Sequence, residues 1–63
     1  MNKAAEIIRT RRLKLGLSQK KLAEKAGLCI NTIYNVEANK GKPDLATYQK
    51  ICDALGIKLS SIL

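Results

Sequence analysis

Residues 17–37 read LSQKKLAEKAGLCINTIYNVE, and the punctuation of this stretch decides the fold. Ser18 stands just before a run with apolar residues at Leu22, Ala23 and Ala26, the spacing of one helix face. Its hydroxyl suits an N-cap, because it can accept a hydrogen bond from an otherwise unpaired backbone N–H. Gly27 then supplies a positive φ that a residue with a Cβ would adopt only at a cost. Beyond the turn, Ile33 and Val36 define the inner side of a second helix, and Asn31, Thr32, Tyr34 and Asn35 are left on its outer face. The stretch is therefore two short helices, about 19–26 and about 30–38, joined by a tight glycine turn.

Outward from this pair the pattern stays helical. Residues 4–15 read as a first helix, with Ile8 and Leu15 seven apart on one side and Arg9, Arg11 and Lys14 elsewhere. Gly16 marks its end. Residues 39–43 (NKGKP) form a polar loop. Asp44 caps a fourth helix carrying Leu45, Tyr48, Ile51, Cys52 and Leu55 at helical spacing, and Gly56 closes it. Lys58 to Leu63 read as a fifth, short helical turn. No strand alternation, repeat or low-complexity tract appears. The expected architecture is all-α: one compact domain over residues 1–63 with five short helices, the second and third forming a helix-turn-helix.

Sixty-three residues support one small core, burying only about 60% of the surface exposed by the unfolded chain. With no Phe or Trp and two Tyr, that core must be aliphatic. Cys29 and Cys52 are too few and too featureless in spacing for a disulfide framework or a metal site. No apolar run approaches the roughly 18 residues of a membrane span, and the first twelve residues, MNKAAEIIRTRR, lack the apolar segment of a signal peptide. The expectation is a soluble, cytoplasmic chain without membrane association, metal or cofactor. Its charge is uneven: residues 1–42 hold ten Lys/Arg against three Asp/Glu, a balance of +7, whereas residues 43–63 hold two of each and balance to zero. Ordinary surface lysines would be spread along the chain; concentration in the part that holds the helix pair is the footprint of a phosphate-binding surface.

Arg12, the run Gly16-Leu17-Ser18-Gln19, Leu22-Ala23, Gly27, Thr32-Ile33, Glu37, Pro43 and Ala54-Leu55-Gly56 resemble, in order and spacing, the lambda-repressor/Cro-like (XRE) helix-turn-helix family over nearly the whole chain. The resemblance implies a five-helix domain, usually dimeric, whose third helix enters the major groove of double-stranded DNA. It implies a partly buried ion pair between Arg12 and Glu37, and phosphate contacts from Ser18 and Gln19 at the start of helix two, from Thr32, and from Lys40, Gly41 and Lys42 in the following loop. Helix starts suit phosphate independently of the family. Base reading falls to Ile30, Asn31 and Asn35. The two Asn are four residues apart on one face, and an Asn amide donates and accepts at once, matching the N6/N7 edge of adenine. Ile30 offers packing against a thymine methyl, so A·T positions are expected in the half-site. Lys20 and Lys21 oppose the helix dipole; they read either as contributors to the DNA-facing field or as tolerated surface lysines.

The chain departs from the family in four places. Asn39 stands where Gly is usual, and Asn tolerates the left-handed conformation. Cys29 replaces the Ser or Thr cap of helix three, which should cost about 1 kcal/mol; its thiol is read as inert or as a redox-sensitive group beside helix-terminal N–H groups. Tyr48 and Cys52 replace Leu and Ala on helix four. The family dimerises through helix five, which places Leu59, Ile62 and Leu63 at the interface, against the simpler reading that they close the monomer core. Two functions follow. The first is a sequence-specific DNA-binding transcriptional regulator, a repressor acting as a homodimer on a palindromic operator. The second is a protein-interaction module, such as an antitoxin, whose DNA binding is secondary. A chain with no His and no site for a carboxylate dyad is not expected to be an enzyme, and no catalytic residue is assigned.

Overall fold

The computed structural model describes residues 3–63; Met1 and Asn2, included in the expected domain, lie outside the described residues. Four α-helices follow one another, α1 (Lys3–Lys14), α2 (Gln19–Ala26), α3 (Ile30–Glu37) and α4 (Leu45–Leu55), before a closing 3-10 turn, Leu59–Ser61. There are thus four α-helices rather than five. The C-terminal segment makes i→i+3 bonds instead, Ser61 N–H to Lys58 O at 2.9 Å and Ile62 N–H to Leu59 O at 3.1 Å. At three residues per turn, positions 59 and 62 fall on the same side, which directs both toward the core.

Local chemistry sets the other boundaries. The Ser18 Oγ accepts from Lys21 N–H at 3.0 Å and starts α2. Asp44 Oδ1 accepts from Thr47 N–H at 2.8 Å and starts α4. That bond holds the Asp44 carboxyl below its ordinary value; the cap therefore persists above the usual carboxylate range and is lost as pH falls through the lowered value. After α2, Gly27 at φ +70° lets Gly27 N–H reach Glu24 O at 3.2 Å and Leu28 N–H reach Ala23 O at 2.9 Å, the paired closure of a Schellman end. After α3 the left-handed residue is Asn39 at φ +59°, and Lys40 N–H closes onto Asn35 O at 2.8 Å. Cys29, the N-cap of α3, makes no side-chain capping bond.

Ile8, Leu22, Ile33, Ile51, Cys52 and Leu55 are fully buried, with Val36 and Ile62 beside them. Each large aliphatic contributes about 1.5–3 kcal/mol of transfer free energy. α2 packs on both α3 and α4, and α1 crosses the same two helices. Tyr48 packs partly buried against this cluster, so both departures on α4 are absorbed. Two apolar residues at helical spacing with core positions lie outside it. Leu15 is 44% exposed at the end of α1, although its N–H still bonds Arg11 O at 3.0 Å. Leu45 is 62% exposed, because it begins α4, beyond the reach of the core. Ile62, expected at a dimer interface, is only 7% exposed within the single chain, since the 3-10 turn folds it under. Among the described residues no helix is long and apolar enough to cross a membrane.

Candidate nucleic-acid interface

Arg12, on the last turn of α1, and Glu37, the last residue of α3, join the two helices. Arg12 Nε donates to Glu37 Oε2 at 2.7 Å and Nη2 donates to Oε1 at 2.9 Å, a two-pronged fork, while Nη1 donates to Leu17 O at 2.9 Å. The side chains are 10% and 4% exposed. The carboxylate raises the Arg12 pKa further above its usual value, chiefly through the hydrogen bond and against the opposing effect of burial. The pair is a strut: it fixes the end of α3 relative to α1 and to the loop that enters α2.

The strut aims the outer face of α3 away from the core. Ile30 is 49% exposed, and Asn31 and Asn35 are exposed with it. None of the three side chains makes a hydrogen bond or ion pair among the described residues. A notch of about 190 Å³ lies beside this face, lined by Thr32, Asn35, Lys40, Gly41, Lys42, Pro43 and Thr47. The fold thus brings Thr32, Lys40, Gly41 and Lys42 together around Asn35. It does so because the Lys40 N–H to Asn35 O bond turns the loop back along α3. Gly41 sits at φ +73° with nothing within 4 Å of the place a Cβ would occupy, leaving its backbone open.

Ser18 and Gln19 lie apart from that notch. They stand at the start of α2, where Ser18 is engaged as the cap and Gln19 Nε2 donates to Glu37 Oε1 at 3.3 Å. Gln19 lines a separate cleft of about 400 Å³ with Arg9, Arg12, Tyr34, Glu37 and Ala38. Lys21 Nζ is 3.7 Å from Glu24, both largely exposed, a pair worth only tenths of a kcal/mol.

Arg9 and Tyr34 received no site role from the sequence. The signal was available in the spacing: each lies three residues before a member of the Arg12–Glu37 pair, one helical turn along the same side. Tyr34 is 52% exposed, and Lys40 Nζ rests 5.8 Å from its ring centroid, within cation–π range. Cys29 is exposed at the start of α3 and Cys52 is buried; burial raises the Cys52 thiol pKa, which keeps it protonated. At the C-terminus Leu59 packs against the core, and Leu63 is 79% exposed. Among the described residues no group of acidic, His or Cys side chains is arranged to hold a metal.

The arrangement has one uncovered helix face bearing amides and an apolar side chain, flanked by lysines and open backbone. A sequence model of the family described as helix-turn-helix matches residues 8–62, from the middle of α1 through the closing turn. Comparison with curated proteins returns no match.

Proposed function

The chain belongs to the lambda-repressor-like (XRE) helix-turn-helix family of DNA-binding regulatory domains, and on that premise we propose that it is a sequence-specific repressor that binds a palindromic operator as a homodimer. The observation that carries this reading is the α3 face. Asn31, Asn35 and half-exposed Ile30 are unengaged by the protein, beside a notch that gathers Thr32, Lys40, Gly41 and Lys42. Asn is a poor helix former, and two on one exposed face of an eight-residue helix are accounted for by adenine edges as their partners. The notch residues hold a phosphate of the flanking backbone, setting the register in which α3 reads bases.

One domain of this size reads too few bases for tight specific binding. A two-fold pair reading half-sites one helical turn apart, roughly 34 Å, supplies the remainder. Leu63, 79% exposed, and the outer side of Leu59 are the apolar surface this reading assigns to the contact; Ile62 supports them from within the core. The test is selection from a randomised duplex pool at near-physiological salt, with sequencing of the retained DNA. The reading expects a palindrome containing A·T positions with half-sites one turn apart. Retention without sequence enrichment would refute it.

A further inference from the structure

We propose that the outer face of α1 pairs antiparallel with the same face of a second copy of this chain. The distribution of acids singles that face out. Of the five acidic side chains, Glu37 is held by Arg12, Glu24 lies beside Lys21, Asp44 caps α4 and Asp53 accepts from Gln49 at 2.8 Å. Glu6, exposed in the first turn of α1, has no ion-pair or hydrogen-bond partner among the described residues. Lys14, exposed in the last turn, has none either. A helix face with an unpartnered acid at one end and an unpartnered base at the other complements itself once one copy is reversed.

The residues between those ends have the same symmetry. Measured from Thr10, Glu6 and Lys14 lie four residues to either side, and Ile7 and Leu13 lie three to either side. All five share one stripe, because positions three and four apart are neighbours on a helix surface. Leu13 is 57% exposed, a large apolar side chain that the single chain leaves uncovered. Turned end for end, the stripe sets Glu6 against Lys14 of the second copy and apolar against apolar, with Thr10 at the two-fold axis. Each contact then occurs twice, as an isologous interface requires. A parallel arrangement would set acid against acid and base against base.

The relief of the surface fits as well. The row Glu6–Thr10–Lys14 runs between two clefts, and Glu6 and Thr10 line both. One, of about 440 Å³, is bordered by Ala5, Arg9 and Leu13; the other, of about 370 Å³, by Ile7, Arg11 and Ile57. A row spaced by four is the ridge that enters the matching groove of another helix, at a crossing angle of about −50°. In the second cleft Arg11 is pinned by its Nε bond to Leu55 O at 3.1 Å, and partly buried Ile7 and Ile57 supply an apolar floor. That cleft takes no residue from α3, so the base-reading face is not part of the contact. With the C-terminal contact of the proposed homodimer, it gives each chain two self-association surfaces, as joining one DNA-bound pair to another requires. One face of a helix about 18 Å long is small beside the roughly 800 Å² per partner of a standard interface. The pairing is therefore weak and concentration-dependent.

The experiment is sedimentation velocity of the full chain over a concentration series. The wild-type mass should rise with concentration. Glu6→Lys and Lys14→Glu each turn two attractive pairs repulsive, and each alone should weaken self-association about tenfold. Mixed one to one, the two variants restore both pairs, and the mixture should associate as the wild type does. Leu63→Asp in every chain removes the C-terminal contact, and the same pattern should persist in that background. Thermal unfolding of each variant excludes a folding defect, and rescue on mixing excludes it independently. A wild-type chain that stays monomeric, single variants that associate like the wild type, or a mixture no heavier than its components overturns the pairing. Rescue that disappears with Leu63→Asp also overturns it, by assigning the association to the C-terminus. Base reading by α3 stands or falls separately, in the duplex selection.

Discussion

Arg12 and Glu37 are the residues whose removal should be felt most. With side chains 10% and 4% exposed, each depends on the other, and removing one leaves a buried charge unpaired. Arg12→Met or Glu37→Leu alone should lower the unfolding free energy by about 3–5 kcal/mol, whereas the double replacement should recover most of the loss; urea unfolding of the three variants checks this. At the other end of the scale, Cys29 holds an N-cap backbone geometry, φ −76° and ψ 149°, without a capping bond. Cys29→Ser should supply that bond and add about 1 kcal/mol, raising Tm by roughly 4–8 °C in a domain of this size. An unchanged Tm would show that the α3 N-terminus is satisfied by another route. Residue roles with a local cause were legible in the sequence: the caps Ser18 and Asp44 need only their next turn. The bond of Gln19 to Glu37, 18 residues away, and the cleft around Arg9 were not, because they depend on how α2 and α1 pack against α3, the Arg12–Glu37 pair being 25 apart in the chain.

Elements here are short, so their ends decide their content. The bounds read for α2 and α3 lie within one residue of those found, because Ser18, Gly27 and Asn39 mark them chemically. Leu15 and Leu45 share the helical spacing of buried residues, yet both are exposed, because each stands at a helix end, where fewer neighbours cover it. The C-terminal segment shows the same limit: apolar spacing of three fits an α or a 3-10 turn equally, and only the packing of Leu59 and Ile62 under α4 selects the second. The turn between α2 and α3 gives the sharpest prediction at this scale. A Cβ on Gly27 would meet nothing within 4 Å, so Gly27→Ala carries backbone strain alone. It should cost about 1–2 kcal/mol, measured by chemical denaturation. A loss near zero would mean that the turn relaxes out of the left-handed region.

At the scale of the whole molecule, a span of 24 × 20 × 19 Å encloses one aliphatic core, and the net charge of +7 belongs to residues 1–42, which hold the helix pair. The buried Cys52 thiol, its pKa raised by burial, reports on that core. A maleimide should modify Cys29 rapidly and Cys52 only through opening of the core, giving one label per native chain and two in denaturant by mass spectrometry. Rapid double labelling of the native chain would contradict a close-packed α2–α4 contact. The basic part of the chain carries the central claim, that the face of α3 reads bases. The most direct measurement repeats the randomised-duplex selection with Asn35→Ala beside the wild-type chain and compares the two base preferences position by position. Loss of an A·T preference at one position of each half-site, worth about 1–3 kcal/mol of discrimination, with the remaining positions retained, is the predicted result. An unchanged preference at every position would contradict the claim and move base reading to another surface.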